Sequence, residues 1–154
     1  MQRTLIILKP DALQRGLIGN ITTRFENKGL KIVAMKMTNL ANETLREHYS
    51  HIAEKPFFPG IEKFMSCSPV ILQIWEGKNA VEVVRNLCGV TNAREADIGT
   101  IRGDLAMSVQ CNVVHASDSK TSAQEEINRF FRPEEIFEYD KTEYLYVYSE
   151  DEKN

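Results

Sequence analysis

Apolar positions fall in short blocks whose spacing alternates between strand and helix periods. Leu5-Ile6-Ile7-Leu8 is apolar on both faces and reads as a buried strand, closed by Lys9-Pro10-Asp11. There Pro10 keeps Lys9 extended and Asp11 favours a turn, so polar chemistry starts at a strand end. Ile18, Ile21 and Phe25 recur at helical spacing, and Gly29 suits a left-handed stop. Residues 30–38 read as a second strand, with Leu30, Ile32 and Ala34 opposite Val33, Met35 and Met37. Residues 42–49 form a short helical pattern, and another begins at Ile61 after Pro59-Gly60.

Val70-Ile71-Leu72-Gln73-Ile74-Trp75 is apolar on both faces, as a central strand requires. Asn79 and Glu82 have capping-box spacing before a helix whose apolar face is Ala80, Val84 and Leu87, with Gly89 as its stop. Residues 90–112 show no sustained period, and a loop of that length in a compact protein is more often functional than idle. Val113-Val114 reads as an extended piece carrying His115. Ser122 with Glu125 opens a last helix, with Ala123, Ile127 and Phe130 on its apolar face.

Alternating strands and helices predict a small α/β sandwich, one antiparallel or mixed sheet with helices packed on it. The expected division is a catalytic domain over residues 1–137 and a C-terminal tail over 138–154. Within the tail, Tyr144-Leu145-Tyr146-Val147-Tyr148 is a β-prone run expected to pack on a neighbouring subunit or across its own domain.

Length and charge narrow the possibilities. The 154 residues suffice for one ordinary core. A net charge of −3 gives no broad electrostatic footprint for nucleic acid or anionic lipid, so no specific partner of either kind is expected. No 18-residue apolar run occurs, and Met1-Gln2-Arg3-Thr4-Leu5 leads into the first strand without a signal-peptide pattern, so the expected location is cytoplasmic. Cys67, Cys88 and Cys111 are far apart and outside any paired-thiol motif, which fits reduced thiols.

Three histidines carry the chemical options. His48 and His51 sit in a polar helical stretch without an HExxH pattern and read as a solvated face. His115 follows two valines at a strand end, where a structural and a catalytic histidine both fit. An imidazole attacks phosphorus when one nitrogen is bare and the other is held by a hydrogen bond, and Glu126 on the following helix is the candidate holder. Arg85, Thr91, Arg102, Asn112 and Lys9 could supply the cationic and polar clamp that phosphoryl transfer needs. Phe57-Phe58 could be core or could offer a nucleobase a stacking face. The Walker pattern GxxxxGK[ST] and the protein-kinase motifs do not occur, so any nucleotide must be held in another way.

Asn112-Val113-Val114-His115-Ala116-Ser117-Asp118-Ser119 resembles the active-site signature of the nucleoside diphosphate kinase family. Lys9-Pro10-Asp11 with Gln14-Arg15-Gly16-Leu17-Ile18-Gly19, His48-Tyr49 with Lys55-Pro56-Phe57-Phe58, and Gly99-Thr100-Ile101-Arg102-Gly103-Asp104 resemble other family segments in the expected order. The resemblance implies a ferredoxin-like single domain, a four-stranded antiparallel sheet covered by helices. It implies transfer of the γ-phosphoryl group from a nucleoside triphosphate to a diphosphate through phosphohistidine, with broad base specificity. Carried over, His115 resembles the nucleophile, attacking through Nδ1, and Glu126 and Ser117 its supporting network. Phe57, Ile61 and Val109 resemble the base contacts, Lys9 and Asn112 the sugar contacts, and Tyr49, Arg85, Thr91 and Arg102 the phosphate contacts. Lys9 would also stand near the transferring phosphate. Mg2+ would be carried mainly by the nucleotide phosphates, with no metal ligands in the chain, and the assembly would be a homo-oligomer, a hexamer rather than a tetramer.

Five positions depart from the family pattern. Ala93 and Ile98 stand where proline is usual, which puts loop rigidity in question, and Gln110 and Cys111 replace a common glycine and a common polar residue. Ala116 replaces a frequent glycine, tolerable unless a positive φ is required there. The competing reading is a binding or regulatory protein on the same fold that takes up nucleotide without the covalent step.

Overall fold

The computed structural model describes residues 1–153 and contains β1 (Gln2–Leu8), α1 (Pro10–Gln14), α2 (Ile18–Asn27), β2 (Lys31–Thr38), α3 (Asn42–His48), α4 (Phe58–Ser66), β3 (Val70–Gly77), α5 (Ala80–Cys88), α6 (Ile101–Leu105), β4 (Val114–Ala116), α7 (Lys120–Phe130) and α8 (Tyr144–Val147). The strands form one sheet in the order β2-β3-β1-β4, and every pairing is antiparallel. This is the four-stranded ferredoxin-like arrangement that the resemblance implied.

β1 and β3 are central, which is why both are apolar on alternating and adjacent positions alike. Ile6, Leu8 and Trp75 face one layer with Ile21 and Phe25 of α2 and Ala80 and Val84 of α5. Leu5, Ile7, Leu72 and Ile74 face the other, with Leu45 of α3, Met65 of α4 and Ile127 and Phe130 of α7. The polar Gln73 is tolerated in the core because it accepts from Trp75 Nε1 at 2.9 Å and donates to Thr22 Oγ1 at 2.9 Å.

Several local expectations change in three dimensions. A register shift between Ile32 and Ala34 inserts Val33 as a bulge, so Ala34 turns to the same layer as Val33 rather than that of Leu30 and Ile32. The capping box does not form, because Asn79 adopts a left-handed φ of 50° and its side chain caps nothing. α4 begins at Phe58, before the expected Ile61, since Pro59 suits a first helical turn. α7 opens earlier than Ser122, with Ser119 Oγ accepting from the Ser122 amide at 3.0 Å. The 90–112 loop contains α6, where Thr100 Oγ1 accepts from the Gly103 amide at 3.0 Å. A Cβ at Gly103 would lie 2.0 Å from the Asp97 carbonyl oxygen, so only glycine lets the loop close on itself. Ala93 is buried in the core and Asp104 accepts from the Gly99 amide at 2.8 Å and from Arg24 at 2.8 Å, which holds the loop without the usual prolines.

The tail packs on its own domain, and its tyrosine run is a helical turn rather than a strand. Its polar groups complete the exposed edge around β2: Lys31 donates to the Tyr139 carbonyl at 3.1 Å, Lys141 to the Leu30 carbonyl at 3.3 Å, and Tyr144 to the Glu76 carbonyl at 3.3 Å. Tyr148 Oη accepts from the Lys78 amide at 3.1 Å, and Val147 lies against Gly29, whose φ of 93° ends α2. Beneath this cover Glu76 pairs with Lys31 at 2.6 Å and with Arg3 at 2.8 Å. Burial opposes the Glu76 charge, but these two donors hold its carboxyl below the usual range.

Deleting residues 138–154 is therefore expected to cost about 2–4 kcal/mol by uncovering that pair and the β2 edge, seen as a lower melting temperature by circular dichroism. The rest of the fold should keep its arrangement in the folded fraction, because the tail contacts β2, β3, the end of α2 and, through Glu138, Arg3 of β1. An unchanged melting temperature would show that the tail contacts carry no stability.

Candidate active site

A strained turn delivers His115. Val113 has a φ of 63°, unusual for a β-branched residue, and the Val114 amide donates back to the Asn112 carbonyl at 2.8 Å, a γ-turn around Val113. The expected extended piece thus starts one residue late, at Val114. Strain of roughly 1–3 kcal/mol persists only where surroundings fix it. Here the Asp11 carboxylate accepts from the Val113 amide at 3.1 Å and the Lys9 amide donates to the Val113 carbonyl at 2.9 Å. The Lys9-Pro10-Asp11 segment at the end of β1 therefore shapes the entry to β4. Ala116 lies in β4 opposite Ile6 without a positive φ, so it needs no glycine.

His115 Nε2 lies 3.1 Å from Glu126 Oε1. The other carboxylate oxygen accepts from Ser117 Oγ at 2.6 Å, and Ser117 Oγ accepts from the Leu5 amide at 3.1 Å, which ties the network to β1. Burial works against the Glu126 charge, but the hydrogen bonds from His115 and Ser117 outweigh it and lower its pKa. With Nε2 committed, the ring nitrogen left for the cavity is Nδ1, which has no hydrogen-bond partner among the described residues.

That cavity encloses about 390 Å³, the lower part of the range for small-molecule sites. Of the residues expected to bind nucleotide, Lys9, Tyr49, Phe57, Ile61, Arg85, Thr91, Arg102, Val109 and Asn112 all line it together with His115. Ser117 and Glu126 stand behind His115. Phe57 and Val109 are half exposed, an apolar pair available to a flat ligand, whereas Phe58 is core.

The polar side of the cavity is partly self-satisfied. Asn112 is buried; its amide nitrogen donates to the Thr91 carbonyl at 3.0 Å and the Val109 carbonyl at 2.9 Å, and its oxygen accepts from Lys9 Nζ at 2.6 Å. Asn112 thus fixes both the loop and the Lys9 ammonium. Burial, with Arg102 nearby, brings that ammonium down to about 8. Arg102 donates to the Gly89 carbonyl at 2.7 Å and the Val114 carbonyl at 2.7 Å, joining the end of α5 to β4. It comes from α6, not from irregular chain, so it braces the site as well as lining it. Arg85 pairs with Asp118 at the rim.

Four neighbours of the site were given no role in it by the sequence reading. Asp11 holds the strained turn, Asp118 pairs Arg85, and Gln110 donates to the Gly60 carbonyl at 3.1 Å across the cavity mouth. The fourth overturns an expectation. His48 is not on a solvated face: it is buried, edge-on to His115 with ring centroids 4.6 Å apart, and packed on Phe130. Burial, with His115 close by, pushes its pKa down to about 3, so the ring is neutral at ordinary pH. His51 is exposed as expected, yet it reaches the cavity wall. The one sequence signal for His48 was its spacing of three from the buried Leu45, a helical neighbour on the same face.

The family model described as nucleoside diphosphate kinase matches residues 2–136. A nucleoside diphosphate kinase of Parabacteroides distasonis is 56% identical over 152 residues, covering 99% of this chain and 99% of that protein. One from Pyrococcus horikoshii is 53% identical over 141 residues, with 90% of each chain covered. Among solved structures, the halophilic nucleoside diphosphate kinase of Halobacterium salinarum in complex with CDP superposes with a TM-score of 0.94 at 41% identity, covering 96% of this chain and 99% of that one. Family model, full-length relatives and superposition agree with the motifs at β1, α6 and β4: the chain belongs to the nucleoside diphosphate kinase family and is a phosphotransferase enzyme.

Proposed function

We propose that the chain moves a γ-phosphoryl group from a nucleoside triphosphate to Nδ1 of His115, and from there to a different nucleoside diphosphate. The observation that carries this reading is the 3.1 Å contact of His115 Nε2 with Glu126, which commits one nitrogen and leaves the other bare toward the cavity. As Nδ1 bonds to phosphorus, positive charge develops on the ring, and the Glu126 carboxylate, itself held by Ser117, stabilises it. Lys9, Arg85 and Arg102 are the cations available to the transferring oxygens, with Tyr49 and Thr91 as hydroxyl donors. Departure of the diphosphate bond electrons onto the leaving nucleotide completes the first half, and the second half reverses it with a new acceptor.

Magnesium supplies charge neutralisation of the polyphosphate when bound. Among the described residues, the cavity lining offers Asp118 as its only carboxylate, already paired with Arg85, which suits a magnesium held by the nucleotide's own oxygens rather than by an oxygen cage from the protein. A homo-oligomer, hexameric rather than tetrameric, and a cytoplasmic location belong to the same reading.

Incubation with MgATP should add one phosphoryl mass to the intact protein at neutral pH, lost on treatment with acid and on addition of GDP. A protein that binds nucleotide with no mass gain would be the binding module instead.

Base breadth follows from Phe57 and Val109, which present apolar surface and no pattern of donors and acceptors. Specificity constants for adenine, guanine, cytosine and uracil nucleotides should agree within about a hundredfold. A discrimination above about a thousandfold, roughly 4 kcal/mol, would mean that a polar group reads the base edge.

A further inference from the structure

We propose that His48, His115 and Glu126 form an inhibitory site for a zinc-class divalent cation, which switches the reacting histidine to its unreactive tautomer. Each residue offers one donor atom, and the three atoms lie within 4.8 Å of one another. Glu126 Oε1 is 3.1 Å from His115 Nε2 and 3.8 Å from His48 Nδ1. Ligands on a tetrahedral zinc ion, with bonds of about 2.0–2.1 Å, stand roughly 3.4 Å apart, so two of the three edges are within half an ångström of that spacing. Modest turning of the His48 ring closes the third.

The donor set matches the ion class. Two imidazoles and a carboxylate form a familiar zinc combination, whereas magnesium prefers six oxygens. Both His48 nitrogens are buried and lack a hydrogen-bond partner. A buried polar ring without partners is destabilising, and a coordinated cation would satisfy it. Ser117 holds Glu126 Oε2 and fixes the carboxylate's orientation, so Oε1, now the partner of His115 Nε2, is the oxygen that would ligate in place of that hydrogen bond. His115 lines the cavity and Glu126 stands behind it, so the site lies on the inner side of the reacting ring.

The consequence for activity follows from proton placement. A neutral imidazole carries one proton and one bare nitrogen. With the cation on Nε2, the ring stays neutral and its proton relocates by exchange with water to Nδ1, where it removes the attacking lone pair. Glu126 meanwhile gives its charge to the metal rather than to the developing phosphohistidine. This inhibitory half rests on attack through Nδ1; the binding half does not.

The test uses the full-length, metal-stripped protein without nucleotide, since phosphates would chelate the probe. Titration with Co2+ should give one site per chain with visible absorption of a four-coordinate nitrogen–oxygen environment, displaced by Zn2+ and not by Mg2+. His48→Phe should weaken binding at least about tenfold. If that variant fails to fold, ring-nitrogen magnetic resonance of the wild-type protein with Cd2+ should show both His48 and His115 coordinated. Absence of a 1:1 site, a thiolate charge-transfer band, or coordination of His51 in place of His48 would overturn the site. Pre-bound Zn2+ should then slow phosphorylation by MgATP at least tenfold, restored by a chelator. Binding with unaltered phosphorylation would overturn the inhibitory switch. Failure of metal-free protein to gain a phosphoryl mass at all would instead count against the proposed transfer reaction.

Discussion

Replacing His115 with glutamine lowers phosphoryl transfer at least about 10⁴-fold, the largest effect expected of any single substitution. Glutamine can still donate to Glu126 Oε1, so the buried carboxylate keeps a partner, but a carboxamide has no lone pair basic enough to attack phosphorus. The side chain lines the cavity and is not packed in the core, so melting temperature should move by only a few degrees. Steady-state transfer between ATP and a second diphosphate, read beside the intact mass, measures both halves. Turnover close to wild type would remove His115 from the reaction.

Arg102→Ala comes second, and the structure changes what it should do. Sequence alone placed this arginine in a stretch without sustained period, as part of a phosphate clamp. Its two 2.7 Å hydrogen bonds to the Gly89 and Val114 carbonyls mean that truncation also removes the donor from part-buried carbonyls on both sides of the site. We expect about 3 kcal/mol of lost stability, on the order of ten degrees in melting temperature. Transfer in the folded fraction should fall roughly 10²–10³-fold, as expected for removal of one oxyanion-stabilising donor. Arg102→Lys should recover some charge but not the bridge, because one ammonium cannot reproduce a planar fork. A stable alanine variant with a purely kinetic defect would assign Arg102 to phosphate alone.

The zinc-class site and the His115 network share Glu126, so the two sets of measurements inform each other. His115→Gln, which leaves Glu126 a partner, should lose metal binding together with transfer.

The sequence determined the parts of this protein that depend on local spacing. Leu5 to Leu8 and Val70 to Trp75 are apolar on both faces because two helix layers cover them, and that pattern is readable without knowing which helices do so. The motif around His115, with Glu126 eleven residues on, lies on β4 and α7, consecutive elements whose relation is nearly local. Tertiary structure decided what depends on distant partners. The positive φ of Val113 is set by Asp11, from the far side of the chain, so nothing in the run Val113-Val114 announces a turn. Val33 bulges and reverses the face of Ala34. The tail's tyrosine run is a helical turn in which Tyr144 meets the Glu76 carbonyl, Tyr148 the Lys78 amide and Val147 packs on Gly29, all partners distant in sequence. His48 sits among polar neighbours in sequence yet is buried, because α3 packs its inner face against α7 and the end of β4. Periodicity reports whether a residue can be buried; only the assembled fold decides against what.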